Sequence, residues 1–323
     1  MSRILVAERV AQAGLDILAA THETAVRLNL PRPELLAAVA EPGGWDALVV
    51  RSQTRVDAEL LAAAAPRLSV VAVASVGTDR VDLAAAARAG VTVVNAPTGS
   101  TIAAAELTMA LMLALLRKIP SADASVRRGE WERARYVGAE LQHRTLGIIG
   151  LGKIGKAVAR RAAAFEMRVI AHDPWLTPEQ AAAHATRLVG LPDLLASADV
   201  ITVHVTLSQE TRGLIGQEQI AAMQPGAVLV NVARGGLIDE EALAAALHSG
   251  HLAGAAIDVF TTEPMAPDNP LRGAPNTILT PHLGASTAEA QERAGVEMAE
   301  RLLLALSRQG PTLPEGHWPI IRG

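Results

Sequence analysis

The stretch TLGIIGLGKIG, residues 145–155, decides the fold of this chain of 323 residues. Its first part, Thr145–Ile149, is typical of a strand, and Gly150, Gly152 and Gly155 follow in a G-x-G-x-x-G spacing. The next residues, KAVARRAAAF, favour a helix. Glycines between a strand and a helix allow a tight turn, the close approach of a phosphate and close helix packing. The stretch therefore predicts a dinucleotide-binding turn with the pyrophosphate at the helix N-terminus, and a loose turn is the alternative.

Asp173 closes the strand that follows this helix, in the segment AHDP, eighteen residues beyond Gly155. A carboxylate at this distance accepts hydrogen bonds from the ribose hydroxyls of a dinucleotide. It would repel a 2′-phosphate, and the next residues, Pro174, Trp175 and Leu176, include no arginine to bind one. We therefore expect NAD rather than NADP. The alternative is an aspartate that only caps the turn before Pro174.

Short runs rich in valine and isoleucine alternate with alanine- and leucine-rich runs on both sides of this stretch. Strands that alternate with helices are typical of an α/β protein with parallel sheets. The strands predicted in the first hundred residues are Ile4–Ala7, Thr24–Leu28, Ala47–Val50, Val70–Ala74 and Val91–Val94. From Leu146 onward we predict six strands, the number in a full dinucleotide-binding sheet: Leu146–Ile149, Arg168–Ala171, Val200–His204, Ala227–Val232, Ala253–Asp258 and Thr277–Leu279.

Several helices carry signals at their ends. Among the predicted helices are Asp57–Ala65 and Asp82–Ala89, and Gly90 stands where a left-handed residue caps a helix. The segment EEALAAALHS, after Asp239, has an acidic start and a histidine near its end, as the helix dipole prefers. After Leu279 we predict one long helix over PHLGASTAEAQERAGVEMAERLLLALSRQG and then a proline-rich tail. If this helix packs on the first sheet, both chain ends build the first domain.

Composition narrows the possible functions. Half of the residues are hydrophobic, 19% are charged and the formal net charge is −4. The chain can thus bury a sizeable core, and it offers no basic field for nucleic acid or an anionic membrane. It contains no cysteine, which excludes disulfides and a thiol nucleophile and fits a cytoplasmic protein. Its His, Asp and Glu residues show no metal-ligand spacing, so we expect no metal.

Two apolar segments could suggest a leader or a membrane span. The apolar run before Glu8 is far shorter than the core of a signal peptide, so we interpret it as a first strand. The segment Ile102–Leu116 contains Glu106 and is followed directly by Arg117, so it is too short and too polar to cross a bilayer. We expect a buried or interfacial helix there and no membrane partner.

Three downstream segments, NVARGGLIDEEAL, AAIDVFTTEP and TPHLGAST, begin at the ends of predicted strands. They supply Arg234, Glu263 and His282 at the sheet edge where open parallel sheets bind ligands. The arginine fork binds a carboxylate and polarises a neighbouring ketone. The histidine exchanges a proton near neutral pH, and the glutamate would hold its tautomer. Taken singly, each could instead be an ordinary surface, turn or structural residue. Together they are what hydride transfer to a 2-keto acid requires.

The chain resembles the D-isomer-specific 2-hydroxyacid dehydrogenases over nearly its whole length. The matching motifs are GLGKIG, ITVHVTL, NVARGGLIDEEAL, AAIDVF, TEP and PHLGAST. Within that family it is most similar to the catalytic core of the branch that oxidises D-3-phosphoglycerate, through VRSQTRV (50–56), AAELTMALMLALLRKIP, RRGEWER, ELQHRTLGIIGLGKIG and HLGASTAEAQ. The resemblance implies a small-molecule 2-hydroxy or 2-keto acid substrate, NAD as cofactor, and a homodimer whose contact lies in region 100–140.

The resemblance also implies an architecture and roles for individual residues. The fold would be two doubly wound parallel-sheet domains: a smaller, flavodoxin-like substrate domain, 1–98 with 289–323, and a Rossmann NAD-binding domain, 99–288. The implied catalytic residues are Arg234, Glu263 and His282. The implied cofactor-binding residues are Gly150, Gly152, Lys153, Ile154, Gly155, Asp173, Val205, Val232, Ala233 and, at the nicotinamide amide, Asp258. The implied substrate-binding residues are Arg51, Val76, Gly77 and Arg234.

One segment departs from the phosphoglycerate-oxidising branch, which usually carries Arg-Ala-Gly-Thr-Gly where this chain has VASVG (73–77). A phosphate needs positive neighbours, and VASVGTD instead resembles the glyoxylate and hydroxypyruvate reductases of the same family. The candidate replacements are Arg51, Arg80, Arg127, Arg128, Arg133 and Arg135.

The resulting expectation is oxidation of 3-phosphoglycerate to 3-phosphooxypyruvate in serine biosynthesis. A glyoxylate, hydroxypyruvate or other 2-keto acid reductase is the first alternative. An NAD-sensing corepressor, a role known in one branch of the family, is a second. Because the sequence stops soon after the catalytic core, we expect neither a C-terminal regulatory domain nor feedback control by serine.

Overall fold

The structure is a computed structural model that describes residues 1–307. The proline-rich tail, 311–323, lies outside the described residues. The chain forms two compact units, one built from Met1–Ser100 with the helix that begins at Ala288, and one from Thr101–Ser286. We call them the outer unit and the inner unit, after their positions along the sequence.

The strands and helices have the following bounds. The strands are β1 (Arg3–Val6), β2 (Glu23–Val26), β3 (Ala47–Val50), β4 (Val70–Val73), β5 (Thr92–Asn95), β6 (Thr145–Ile149), β7 (Arg168–His172), β8 (Arg187–Leu188), β9 (Val200–Val203), β10 (Val228–Asn231), β11 (Gly254–Ile257) and β12 (Thr277–Leu279). The helices are α1 (Gln12–Ala19), α2 (Arg32–Val39), α3 (Ala58–Ala63), α4 (Leu83–Arg88), α5 (Thr101–Leu116), α6 (Ile119–Arg127), α7 (Lys153–Ala164), α8 (Pro178–Ala182), α9 (Leu191–Ser197), α10 (Gln217–Ala221), α11 (Glu240–His248) and α12 (Ala288–Ser307). Short 3-10 helices occupy Arg133–Tyr136 and Pro270–Arg272.

The outer unit contains a five-stranded parallel sheet in the order β2-β1-β3-β4-β5, which is the flavodoxin-like order. Its central strands are apolar on both faces because helices cover both faces. The last helix, α12, covers one of them: its residues Ala294, Met298 and Leu302 are buried with Ile4 and Val6 of β1. Burial of each large aliphatic side chain contributes about 1.5–3 kcal/mol.

The inner unit contains a seven-stranded parallel sheet in the order β12-β11-β10-β9-β6-β7-β8. The order of the strands reverses at β6: β7 and β8 are added on one side of it, and β9 to β12 on the other. Ligands of such sheets bind outside the carboxyl ends of the strands at this switch point. Two clusters of buried side chains, one on each face, hold the sheet between its helices. The expected α/β class with two doubly wound parallel sheets is confirmed.

Most predicted strands and helices begin and end within one or two residues of their predicted bounds. Asp57 and Asp82 cap α3 and α4 from outside, because their carboxylates accept hydrogen bonds from the first-turn N–H groups of Leu60 and Ala85. Asp239 caps α11 in the same way. Gly90 has φ +70°, so it does adopt the left-handed conformation after α4.

Two predictions about the inner unit and the last helix were wrong. The six predicted strands omitted β8, a two-residue strand beside β7 that is too short to leave a hydrophobic pattern. The last helix begins at Ala288, and residues 281–287 form turns because backbone N–H groups at 282–284 are bonded to Asp258.

Within residues 1–307 we find neither a helix that could span a bilayer nor a group of His, Asp and Glu residues that could hold a metal.

Candidate active site

The three glycines of the turn after β6 have different neighbours. A Cβ at Gly150, whose φ is +91°, would lie 2.7 Å from the backbone oxygen of His204, and one at Gly155 would lie 2.2 Å from the oxygen of Gly150. A Cβ at Gly152 would meet no atom of the protein within 4 Å. Gly150 and Gly155 are therefore required by the packing of the turn itself. Gly152 leaves open space above the start of α7.

That open space has the character of an anion site. Gly152 is the N-cap of α7 and provides no side-chain cap, so the first N–H groups of the helix, including those of Lys153 and Ile154, lack a side-chain acceptor. The positive end of the helix dipole adds to the attraction for an anion.

Two polar side chains border this turn. One carboxylate oxygen of Asp173, directly after β7, accepts a hydrogen bond from Leu151 N at 2.9 Å, and the other accepts one from Trp175 N at 3.0 Å. His204, directly after β9, is half-buried, and the burial of its ring lowers its pKa to about 4. Its Nδ1 has no hydrogen-bond partner among the described residues. A buried nitrogen without a partner beside an open glycine turn fits a ligand with polar groups.

Val205, Val232 and Ala233 lie at the same edge of the sheet. Val205 follows His204 beyond β9 and contributes to the tight packing around Gly150. Val232 and Ala233 follow β10 and are buried. The residues predicted to bind the cofactor thus lie at the carboxyl ends of β6, β7, β9, β10 and β11, as a dinucleotide requires.

Glu263 and His282 form a hydrogen-bonded pair on the loops after β11 and β12. Nδ1 of His282 lies 2.7 Å from Oε2 of Glu263, and Oε1 of Glu263 accepts from the backbone N–H of Phe260 at 3.0 Å. An ionised carboxylate only accepts, so Nδ1 carries the hydrogen and Nε2 is left to exchange a proton. Both side chains are partly exposed, 46% for the histidine and 32% for the glutamate.

The pair shifts the pKa values of both residues. The hydrogen bond to Glu263 raises the pKa of His282, and burial opposes the rise. The charges of Glu263 and Asp258 raise this pKa further, and the positive charge of Arg234 lowers it. For Glu263, burial raises the pKa, but the hydrogen bonds from His282 and Phe260 outweigh it, so its pKa lies below the ordinary value. The imidazole is therefore biased toward its charged form.

Asp258 organises the loop that carries His282. It is fully buried at the end of β11, and burial raises the pKa of its carboxyl. Oδ1 accepts from Thr280 Oγ1 at 2.6 Å and from Leu283 N at 2.7 Å, while Oδ2 accepts from Gly284 N at 2.9 Å. His282 itself has φ +56°. The family role of Asp258 at the nicotinamide amide stays a prediction, because the structure shows this carboxylate bonded to the loop.

Arg234 lies on the loop after β10, and Asn231 shapes this loop. Asn231 Oδ1 accepts from Ala233 N at 2.9 Å, and its Nδ2 donates to the backbone oxygen of Arg234 at 2.9 Å. Since β10, β11 and β12 are neighbours in the sheet, their loops converge. The charge of Arg234 is close enough to lower the pKa values of both Glu263 and His282. The structure therefore brings the three predicted catalytic residues together.

The other predicted substrate residues belong to the outer unit. Arg51 follows β3, and Val76 and Gly77 lie shortly beyond β4, so all are at the carboxyl edge of that sheet. The hydroxyl of Ser75 contacts both loops: it lies 3.1 Å from the backbone oxygen of Arg51 and 2.9 Å from that of Gly77.

Sequence reasoning missed the residues that hold these loops. Asn231, Thr280 and Gly235 touch the catalytic loops, and Glu8 touches the Arg51 loop. Their positions could have identified two of them, because Asn231 ends a buried strand and Glu8 closely follows one. A polar residue where a buried strand ends commonly bonds to the next loop rather than to solvent.

We expect Glu263→Gln to lower the pKa of His282 toward or below the ordinary value of about 6.5, because the largest cause of its rise disappears while burial and Arg234 remain. NMR titration of the imidazole would measure this shift without any substrate. If the protonated histidine gives the proton in keto-acid reduction, the reduction rate of the variant will fall at a lower pH than that of the unchanged protein. An unaltered histidine titration would contradict the pairing.

The inner unit matches a known family. A family model described as "D-isomer specific 2-hydroxyacid dehydrogenase, NAD binding domain" matches residues 109–284. The chain is similar to D-3-phosphoglycerate dehydrogenase of Mycobacterium tuberculosis, with 50% identity over 304 residues, which are 94% of this chain and 57% of that protein. The enzyme of the same name from Archaeoglobus fulgidus is 47% identical over 302 residues, 93% of this chain and 56% of that one. The chain thus spans about half the length of these curated relatives.

Solved structures resemble the chain over nearly their full length. The TT0316 protein of Thermus thermophilus has a TM-score of 0.85 and 39% identity, covering 94% of this chain and 97% of that one. A glyoxylate reductase from Paecilomyes thermophila has a TM-score of 0.86 and 30% identity, covering 95% of this chain and 96% of that one. These similarities extend across both units.

Proposed function

The chain belongs to the D-isomer specific 2-hydroxyacid dehydrogenase family, and from that membership we propose that it transfers hydride between NAD and a D-2-hydroxy acid, with 3-phosphoglycerate as that acid. The observation that carries the activity is the Glu263–His282 pair at 2.7 Å, with the Arg234 charge beside it, at the ligand edge of the inner sheet. The relatives named D-3-phosphoglycerate dehydrogenase support the choice of acid.

The inner unit offers NAD a suitable site. Gly152 and the uncapped start of α7 would hold the pyrophosphate, and Asp173 would accept from the ribose hydroxyls. Each oxygen of the Asp173 carboxylate accepts one backbone hydrogen bond, so each keeps a second lone pair that can accept from the ribose. The buried Nδ1 of His204 is a further candidate contact. When bound, the nicotinamide supplies the hydride acceptor for oxidation or, reduced, the hydride donor.

We expect Gly152→Ala to weaken NADH binding at least a hundredfold while the thermal midpoint stays within about 2 °C. The new methyl meets no protein atom, so the fold tolerates it, but it would fill the space assigned to the pyrophosphate. Quenching of tryptophan fluorescence by NADH and a thermal melt measure the two quantities. Gly155→Ala is the contrast, because its Cβ would strike the Gly150 oxygen and lower stability as well. Normal NADH affinity in Gly152→Ala would contradict the assignment.

The remaining chemistry belongs to the chain's own side chains. Arg234 binds the substrate carboxylate and polarises the C2 oxygen. In oxidation, neutral His282 takes the hydroxyl proton at Nε2, and in reduction charged His282 returns it to the carbonyl oxygen. Glu263 holds Nδ1 and stabilises the charged imidazole, and Asp258 holds the loop beneath.

The phosphate end of the substrate needs cations, and the resemblance to the family offers several arginines as candidates. Three of the four exposed arginines of the 127–135 run have acidic partners: Arg127 pairs with Asp123 at 2.7 Å, Arg128 with Glu130 at 3.0 Å and Arg135 with Glu132 at 3.5 Å. Arg51 and Arg80 are the better candidates. The backbone oxygen of Arg80 accepts from Val56 N at 2.8 Å, so its segment runs beside the chain that leaves the Arg51 loop.

A reductase of glyoxylate or hydroxypyruvate is the second candidate, favoured by the VASVG segment at 73–77 and by the fold likeness to a glyoxylate reductase. An NADH fluorescence assay with phosphohydroxypyruvate, hydroxypyruvate and glyoxylate separates the two. A kcat/KM at least a hundredfold higher for the unphosphorylated acids, about 2.7 kcal/mol, would reject 3-phosphoglycerate. Absence of turnover with all three would reject the proposed activity.

We also propose that the protein is a cytoplasmic homodimer joined through region 100–140. Ile119, Val126, Trp131 and Val137 expose apolar surface on this segment, and the Trp131 side chain is 78% exposed. Exposed apolar residues in one segment are typical of a contact between chains. Sedimentation equilibrium should return twice the chain mass of 33.7 kDa.

A further inference from the structure

Glu8 is a buried acidic residue in the outer unit that the proposed mechanism does not use. It lies two residues beyond β1 and is 8% exposed. Its carboxylate accepts from Ser52 N at 2.9 Å, from Gln53 N at 3.1 Å and from Thr54 N at 2.8 Å. Three consecutive backbone N–H groups therefore converge on one side chain.

Such a convergence of N–H groups normally binds a free anion. Here the chain supplies the anion itself, and the hydrogen bonds are charge-assisted. Burial raises the pKa of Glu8, but the backbone hydrogen bonds lower it by more, so the carboxylate stays ionised. The loop 51–54 belongs to no helix or strand, so these bonds restrain a segment that lacks the hydrogen bonds of regular secondary structure.

The same loop is tied on its other side to the loop beyond β4. Ser75 contacts the backbone oxygens of Arg51 and Gly77, and Asn95 Nδ2 donates to the oxygen of Val76 at 2.7 Å. Glu8, Ser75 and Asn95 thus set the backbone of the loops that carry the outer unit's proposed substrate residues.

We propose that Glu8 is a positioning residue, which acts through the 51–54 loop to hold the Arg51 guanidinium ready for the substrate acid. This inference rests on the proposed function, in which Arg51 binds that acid. If only a fraction of molecules has the loop in its binding conformation, the apparent dissociation constant rises by the inverse of that fraction. Loss of Glu8 therefore weakens acid binding, whereas the step after binding proceeds as before.

We expect Glu8→Gln to raise KM for the best of the three keto acids at least tenfold, with kcat and the NADH dissociation constant within twofold. The amide keeps the shape but turns an NH2 group toward backbone donors. Asp46→Asn is the matched control. Asp46 directly precedes β3, the strand that Arg51 follows, so it lies at the opposite end of the sheet. Its carboxylate also accepts a backbone hydrogen bond, from Arg3 N at 2.6 Å. It should lower thermal stability and leave KM unchanged.

A double-mutant cycle tests whether the effect passes through Arg51. Arg51→Met should raise KM, and adding Glu8→Gln to it should change KM by less than twofold, since the positioned group is gone. Full additivity, or no effect of Arg51→Met, would overturn the inference. Glu8→Asp, which retains the charge, should give an intermediate KM and serves if Glu8→Gln does not fold.

The outcomes separate the two proposals. No turnover by the unchanged protein removes the proposed function and this inference with it. Turnover with an unaltered KM in Glu8→Gln and Glu8→Asp, or an equal rise of KM in Asp46→Asn, removes only the inference.

Discussion

His282→Asn will lower kcat/KM for keto-acid reduction about 10³-fold and leave the NADH dissociation constant within twofold. A positioned acid or base contributes about 10² to 10⁴ in rate, and asparagine has no group that titrates near neutral pH. Asparagine is preferred to glutamine because His282 has φ +56°, a backbone conformation that asparagine tolerates well. Stopped-flow NADH oxidation and NADH titration measure the two constants.

His143→Asn is the matched control for this variant. His143 is also a histidine of the inner unit with a left-handed backbone, φ +62°, but its side chain is exposed and has no proposed role. It should keep full activity. Unimpaired turnover by His282→Asn would remove the acid–base assignment.

Gly235→Ala will lower the free energy of unfolding by about 3 kcal/mol or more and will also abolish turnover. A Cβ at Gly235 would lie 1.8 Å from the backbone oxygen and 2.0 Å from the carbonyl carbon of Phe260. Both are backbone atoms, so no side-chain rotation relieves the clash. One loop must move, and these loops carry Arg234 and Glu263.

Urea unfolding and the NADH-linked assay give the two readouts for this glycine. Gly273→Ala is the control, because its Cβ would meet nothing within 4 Å and its φ of −99° suits alanine. It should change stability by less than about 0.5 kcal/mol. Equal stability of the two variants would show that the Arg234 and Phe260 loops are not packed as described.

The architecture was predictable because its signals are local. Apolar runs such as Val200–Val203 are interrupted by helices whose ends carry Asp82, Gly90 or Asp239, and each of these signals acts within a few residues. The two-residue strand β8 has no such signal, since its neighbour β7 defines it.

The candidate site was predictable in its chemistry but not in its support. Arg234, Glu263 and His282 could be picked out because they follow predicted strands and belong to familiar motifs. Glu8 and Asp258 bind groups of other loops, up to 46 residues away in the case of Glu8, so residue type could not identify their partners. Asn231 binds backbone groups of its own loop, and only the coordinates show that its amide folds back onto Ala233 and Arg234. The contrast among the three glycines likewise needs coordinates, because only Gly152 faces open space.

Because α12 belongs to the outer unit, the sequence of the inner unit lies between the two segments of the outer unit. The segment Thr101–Ser286 is uninterrupted, so one continuous piece of the gene encodes the inner unit, whereas a gene for the outer unit must join residue 100 directly to residue 287. The same nesting governs synthesis on the ribosome. The sheet of β1 to β5 emerges first, yet α1 lacks its partner helix on one face of that sheet until α12 has been translated, so the part begun earliest is completed last.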